Sequence, residues 1–432
     1  MERFIITMLL SLAAAGACAQ ETWTLERCIA YATEHNLDIR EKELEADIRK
    51  AEYRGGRFGH LPALTLGLAQ DFNWGRSVDM QELVIVRNKL TKATGASLTA
   101  GMTIFEGFTR QYDCLAAGKA AERASYDLLA GRRQLSIDVT RAYLELMLAG
   151  QMQSHTRDSY ASIMEQHRRT VKLVEAGSQP KSALHEMTAQ VAAEKAAMVS
   201  SDCQVRTSTL SLKLLMNLPD SVEFNASAPL ADKYTFDRPV LIPEPSDEVI
   251  SRDPRLGSAR SSVSEMEYRL NSALGAFFPK LSLAVGYGTF YSSSAGEPFK
   301  TQLDENRNPS LSLRLDIPVF NAMQNHSRMK RRRLELEAAR TGAENVRTRI
   351  AGEISSLAIE AENGAQKYRS AEETLAAMKE LLSVTEAKYD LGAASALDYI
   401  VARNNHSKAV ADYLQAKWQY LFQLLLMEYY RP

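Results

Sequence analysis

The chain alternates between two hydrophobic rhythms. From about Leu25 to Phe58 the pattern is helical. In "PALTLGLAQDFNW" Leu64, Leu66 and Leu68 then alternate with smaller residues, with Phe72 and Trp74 in phase. After a polar stretch, "SLTAGMTIF" alternates Leu98, Ala100, Met102 and Ile104, so period two predicts a pair of strands. From Gly107 to about Ala176 there is no proline, and the alanine-rich "CLAAGKAAERASYDLLAGRR" favours helix. About 70 residues at 1.5 Å each make a rod of roughly 105 Å, longer than a compact domain of this size needs. "LVEAGSQPKSALHEMTAQ" then stops at a glycine and restarts, which predicts a turn at Gly177 and a helix over about 182–217.

The second half repeats the series. A shift of 215 residues carries Gly177 onto Gly392 of "KYDLGAASALDYIVAR" and Phe105 onto Phe320. It also carries the helical stripe Leu135, Val139, Ala142 and Leu146 onto Ile350, Ile354, Leu357 and Ala361. Near the start of each half the shift is 217, where "NLDI" (36–39) meets "DPRL" (253–256) and Pro62 meets Pro279. "KLSLAVGYGTFY" alternates Leu281, Leu283, Val285 and Tyr287, and "SLSLRLDIPVF" alternates Leu311, Leu313, Leu315 and Ile317. A second long helix is expected from about Ala322 to Leu391. The expected division is a leader over 1–19, a first repeat over 20–217, a connector over 218–245 and a second repeat over 246–432.

Four alternating strands of about ten residues with aromatics near their ends suit a membrane β-barrel wall. They equally describe a half-buried soluble sheet, and the long helices favour the former. Four strands cannot close a barrel, since small barrels need about eight. Left open in lipid they would leave edge groups unsatisfied, so closure by further copies is expected, and a trimer supplies twelve strands. Composition adds exclusions. The net charge of −1 offers no basic field for nucleic acid, and no run of 18 apolar residues follows the first twenty, which excludes a helical membrane protein. "MERFIITMLLSLAAAGACAQ" reads as a secretory signal cleaved after Ala19, with Cys18 as a rival lipid-attachment site. Cys28, Cys114 and Cys203 are too scattered for a disulfide framework or a metal site.

The in-register duplication, the paired strands "LPALTLGLAQDF" and "FPKLSLAVGYGTF", the junctions "IFEG" and "VFNA" and the two glycine turns together resemble the TolC-like outer-membrane efflux proteins over essentially the whole chain after residue 19. The resemblance implies a mainly α protein with membrane β structure. It implies a homotrimer with a twelve-stranded β-barrel in the outer membrane of a Gram-negative bacterium and a long α-helical barrel in the periplasm. It further implies a passive export duct of a tripartite efflux or type I secretion system, working with a periplasmic adaptor and an inner-membrane pump. The lipid-facing strand positions are expected to include Leu64, Leu66, Leu68, Leu283, Leu313 and Leu315.

In the family pattern the glycine turns join helices at a periplasmic gate. An aspartate six residues after the second glycine faces the pore, and here it is Asp398. A further acidic position is Val401, the gate tyrosine is Tyr389, and the arginine position is Ala394. The Thr-Asp pair of the first turn appears as Ser182 and Ala183, which leaves a Tyr389–Ser182 hydrogen bond as the expected latch. Asp398 also reads as a helix N-terminal aspartate stabilised by the dipole and local N–H groups, and the two roles stay open. Gly177 and Gly392 are expected to end helices in a left-handed conformation.

Other candidate chemistry is thin. "HEMTA" at 185–189 begins like a zinc-protease helix but has Ala189 where the second histidine belongs. "RMKRRR" at 328–333 is expected to border the membrane near the periplasmic end of the strands. No catalytic constellation, cofactor or metal set emerges, and an enzyme is not expected. The alternative is a periplasmic adaptor or structural protein of long helical hairpins without membrane strands.

Overall fold

A computed structural model describes residues 22–75, 77–78, 84–86, 90–226 and 245–430. The expected leader, Cys18 and residues 227–244 of the expected connector lie outside the described residues. In chain order the elements are α1 (Leu25–His35), α2 (Leu37–Phe58), β1 (Ala63–Asn73), β2 (Ser77–Val78), β3 (Ile85–Val86) and β4 (Thr91–Phe105). They continue as α3 (Thr109–Glu175), α4 (Lys181–Met216), α5 (Asp247–Arg252), α6 (Pro254–Gly275) and β5 (Lys280–Ser292). The last are α7 (Phe299–Glu305), β6 (Asn308–Asp316), α8 (Gln324–Asp390) and α9 (Ala396–Glu428). The two long helices, α3 and α8, have 67 residues each, about 100 Å at 1.5 Å per residue.

The helix expected without interruption over 25–58 is broken at Asn36. The Asn36 backbone N–H closes α1 on the Ala32 carbonyl, while its side-chain oxygen accepts from the Asp38 and Ile39 amides to open α2. One asparagine thus serves as cap for both helices. The break recurs 217 residues later, where Asp253 ends α5 and Pro254 takes the first position of α6.

Contacts divide the chain into two units, each drawing on both halves of the sequence. One unit holds the described residues between Leu44 and Tyr126, and Arg255–Val346. Its centre is an antiparallel sheet in the order β1-β4-β5-β6, while β2 and β3 form a separate small ladder. The register decides the faces, because cross-strand partners share one. Leu64 pairs Ala100, which pairs Val285, which pairs Leu311; Leu66 pairs Leu98, which pairs Tyr287. Met102, Leu283 and Leu313 form another row, and Leu281 pairs Leu315. Leu64, Leu66, Leu68, Leu283, Leu313 and Leu315 therefore lie on one face. The opposite face carries small or polar rows such as Thr65–Thr99–Gly286–Ser310 and Gly67–Ser97–Gly288–Asn308.

Two expected boundaries move. The last strand, expected to reach Phe320, ends at Asp316, because Pro318 has no N–H for a ladder. Ala322 and Met323 then turn through φ of 50° and 65°, so the helix starts at Gln324 rather than at Ala322. The short α7 was not foreseen. Its Gln302 is buried and its side-chain amide donates to the Ser292 and Glu297 carbonyls, pinning the segment to the end of β5. At the strand-to-helix junction Gly107, with φ of 66°, packs against the end of α6: a Cβ on Gly107 would collide with the Gly275 backbone, and one on Gly275 with the Thr109 hydroxyl and the Gly107 carbonyl. Inside the helical part of this unit Glu265 is buried and held by Arg123 at 3.0 Å and Arg269 at 2.6 Å.

The other unit holds the described residues 22–43, 127–226, 245–254 and 347–430. Its largest core joins Trp23, Cys28, Ala32 and Ile39 to Leu135, Val139, Tyr143, Leu212, Met216, Trp418 and Leu421. The repeated stripe is the reason: Leu135, Val139, Ala142 and Leu146, and their counterparts Ile350, Ile354, Leu357 and Ala361, are all buried. A smaller cluster of Ile163, Ala183, Met187, Tyr389, Ala396 and Tyr399 lies beside the two glycine turns.

Candidate functional site

The two glycine turns are built alike. Gly177 and Gly392 both have φ of 73°. In the first turn Ser178 N–H reaches the Leu173 carbonyl at 2.8 Å and Gly177 N–H the Val174 carbonyl at 3.1 Å. In the second, Ala393 N–H reaches Lys388 at 2.8 Å and Gly392 N–H reaches Tyr389 at 3.0 Å. This is the Schellman pattern, whose left-handed residue is glycine because a Cβ strains there. The restarts differ. Pro180 opens α4 without a side-chain cap, whereas Ser395 opens α9 with a capping box.

Asp398 belongs to that box. Its amide donates to Ser395 Oγ at 3.1 Å, and its carboxylate accepts from the Ser395 amide at 3.0 Å and hydroxyl at 2.7 Å. Those two donors on Ser395 hold the Asp398 carboxyl below its ordinary pKa. The side chain is otherwise exposed, as is Val401 one turn on. The capping geometry is thus present and leaves the charge open to solvent.

Tyr389 is buried, and its hydroxyl does not pair with Ser182. It lies 3.1 Å from Thr170 Oγ1 and donates to Gln179 Oε1 at 3.2 Å. The reason is the phase of α4: Ser182 is exposed, while its neighbour Ala183 takes the inward position under the tyrosines. The Tyr389 ring stacks on Tyr399 at 5.3 Å between centroids. Tyr399 accepts from Arg403 Nη1 at 3.1 Å, and burial raises its pKa while Arg403 pulls it down. Arg403 is itself buried; it donates to Ser162 Oγ at 3.0 Å, to Ser159 Oγ at 3.0 Å and to the Ser159 carbonyl at 2.5 Å. Its Nε stands 4.0 Å from the Glu194 carboxylate.

The result is a continuous chain of contacts, from Gln179 in the first turn through Tyr389 and Tyr399 to Arg403, then to α3 and α4. A cleft of about 640 Å³ opens beside it, lined by Gln179, Ser182, Glu186, Tyr389, Ser395 and Leu397 among others. Thr170, Gln179, Tyr399, Arg403 and Glu194 were missed in the sequence. The usable signal was the spacing of Tyr399 and Arg403, four residues apart on one helix, which makes them neighbours. Among the described residues no group of three or more His, Cys, Asp or Glu is arranged for a metal ion, and no helix is long and apolar enough to cross a membrane.

Comparison with known proteins matches this architecture to one family. The family model for outer membrane efflux proteins matches residues 29–218 and 246–425. No curated protein matches the chain. Among solved structures, the channel protein CusC superposes with a TM-score of 0.82 at 16% identity, covering 94% of this chain and 91% of that one. The CmeC outer membrane channel of Campylobacter jejuni gives 0.81 at 16% identity, covering 94% and 85%. The open-state MtrE outer membrane channel of Neisseria gonorrhoeae gives 0.79 at 19%, covering 94% and 88%. At such identities the superpositions speak for the fold, and the family match, which spans both repeats, speaks for kinship. The chain belongs to the outer membrane efflux protein family, and its place is the outer membrane.

Proposed function

We propose that three copies of the chain close a twelve-stranded β-barrel in the outer membrane and continue into a helical duct in the periplasm. The observation that carries this is the sheet. β1 and β6 are both edges, one face is leucine-rich and mostly exposed, and the other is small and polar. An open sheet of this kind needs partners in lipid, since unpaired edge groups there cost several kcal/mol each. A leucine face toward lipid and a Gly/Ser/Thr face toward a wet lumen is the arrangement of membrane barrels. Leu64, Leu66, Leu68, Leu283, Leu313 and Leu315 are assigned to the lipid side. The sheet also disfavours a periplasmic hairpin protein, which would have no use for an exposed leucine face. The family is one of channels rather than enzymes.

The duct exports passively, with an inner-membrane pump supplying the work through a periplasmic adaptor. Its gate is assigned to the glycine turns, with Tyr389 and its contacts to Thr170 and Gln179 as the latch and Asp398 as the charge at the opening. Ser182 lines the same cleft without bonding to Tyr389. The repeats are taken as 20–217 and 246–432, joined by 218–245 and preceded by a leader over 1–19. The test is electrophoresis of the purified protein with and without heating, followed by planar-bilayer recording. A heat-labile trimer that conducts is expected; a monomer, or a trimer with no conductance under any voltage, overturns the reading.

A further inference from the structure

The register brings four junctions to one end of the sheet: the entries to β1 and β5 and the exits from β4 and β6. Asn325 ties two of them, donating to the Ala276 carbonyl at 2.8 Å. This end is apolar and open. Phe58, Phe108, Phe278, Val319, Phe320 and Met323 are all exposed, Val319 by 90% and Phe320 by 82%. Immediately beyond it, α8 carries Arg328, Lys330, Arg331, Arg332 and Arg333. From Ile317 to Leu334 there is no acidic residue, in a chain whose net charge is −1.

Only Arg331 and Arg332 have a carboxylate, and they share it: Glu335 lies 3.5 Å from the first and 2.7 Å from the second. Arg328, Lys330 and Arg333 are exposed and have no ion-pair partner among the described residues. A second copy of the chain is a poor source of one. Glu52 and Glu106 are already paired with Arg49 at 3.0 Å and Arg110 at 2.7 Å, which among the described residues leaves the exposed Asp113, near the start of α3, as the single competing carboxylate against five cations. Distance then favours a lipid surface. Along α8, Arg328 lies about 6 Å and Arg333 about 14 Å from Gln324, at 1.5 Å per residue. A headgroup layer is roughly 5–8 Å thick, and long cationic side chains bend toward it, so Arg328, Lys330 and, at the outer limit of its side chain, Arg333 reach phosphate depth once the phenylalanines sit at the hydrocarbon edge.

We infer that this cationic run binds the headgroups of anionic phospholipid in the periplasmic leaflet, directly below the phenylalanine-rich end of the sheet. The assignment rests on the channel reading, which sets the helical side as periplasmic. It gives the protein a preference for one lipid class, with the phenylalanines fixing depth and the cations fixing headgroup charge.

The test uses the full-length trimer in non-ionic detergent, titrated with phosphatidylglycerol or with phosphatidylcholine of the same acyl chains. Native mass spectrometry counts the lipids retained. Parent trimer is expected to retain phosphatidylglycerol preferentially and to lose that preference as salt rises from about 0.05 to 0.5 M. In Arg328→Gln/Lys330→Gln/Arg333→Gln the preference should fall, by about fivefold per cation removed. The charge-keeping Arg328→Lys/Arg333→Lys should keep it. Equal retention of both lipids by the parent overturns the inference, as does a triple variant that keeps the preference. Full competition by inorganic phosphate overturns it too, by showing a free-anion site. Should the triple variant fail to trimerise, the parent's salt-dependent preference still decides. Conductance of the triple variant in zwitterionic bilayers separates the two readings: an open pore is expected. A parent without conductance that still prefers phosphatidylglycerol sinks the channel reading alone.

Discussion

The sheet and the helical tip hold their polar groups in opposite ways. In the sheet the backbone satisfies itself along three antiparallel ladders, and side chains need only respect a face. Any of several leucines serves, and no one of them is irreplaceable in kind. At the tip two buried tyrosines and a buried arginine each have named partners, and a substitution leaves those partners stranded. The first region is specified by repetition, the second by individual hydrogen bonds. Substitutions should therefore be graded by face in the sheet and by partner at the tip.

The largest effect is expected at Arg403. Arg403→Leu removes four hydrogen bonds and leaves Glu194 buried without its cation, a loss of roughly 3–5 kcal/mol. Hydrogen exchange over residues 155–165 and 396–407 measures it, and unchanged protection would show that the arginine is not a clamp. Next is Leu66→Arg, which should weaken membrane assembly by roughly 2–4 kcal/mol if Leu66 lies near the midplane. Thr99→Arg, on the opposite face, should leave trimer yield intact. Equal damage by both would mean that the faces are wrongly assigned.

Tyr389→Phe follows. It keeps the stack on Tyr399 and removes only the contacts to Thr170 and Gln179, a loss of about 1 kcal/mol. Open probability should rise in planar bilayers, while Ser182→Ala, at a residue with no bond to Tyr389, should leave it unchanged. A smaller, pH-dependent effect is expected at His155. Burial first, then the charges of His406 and Arg403, hold its pKa below the ordinary 6.5, against the opposing pull of Glu194 and Asp158. The neutral ring is the folded form, so its stabilising share is complete above about 6.5 and lost as pH falls through the lowered value. Acidification from pH 7 to 5 should therefore reduce protection near residue 155, and His155→Gln should flatten that slope. The least perturbing change is Asp398→Asn, which keeps an oxygen for the Ser395 amide and removes the charge. Reversal potentials in a salt gradient should shift toward lower cation preference, with helix-start protection preserved. Coinciding potentials would place Asp398 outside the pore.

Legibility followed the same division. Leu64, Leu66 and Leu68 announce their shared face through period two, and register carries that face across four strands. The stripe from Leu135 to Leu146 and its copy from Ile350 to Ala361 were equally plain, because burial needs only apolar side chains at helical spacing. The break at Asn36 was half visible, since "NLDI" aligned with a segment containing Pro254, yet asparagine inside a helical pattern signals a cap only once both helices are placed. Partners of Tyr389 were not legible. The family pattern pointed to Ser182, but α4 turns Ala183 inward in its place, and the phenol meets Thr170 of α3 and Gln179 of the turn. Arg403 was hidden for the opposite reason: in sequence it stands beside Asn404, Asn405 and His406 like any solvated arginine, and only packing removes it from water.

The ladder between β4 and β5 has a consequence for how the protein comes into being. It pairs Ala93 with Ser292 and Ala100 with Val285, joining halves that leave the ribosome far apart in time. Until β5 arrives, the β1–β4 hairpin has a leucine face and an unsatisfied inner edge. Pairings this distant in sequence are slow to form, because the intervening chain must give up its freedom first. The nascent first half is therefore a client that must be shielded in transit, and its vulnerability ends only when the last strands dock.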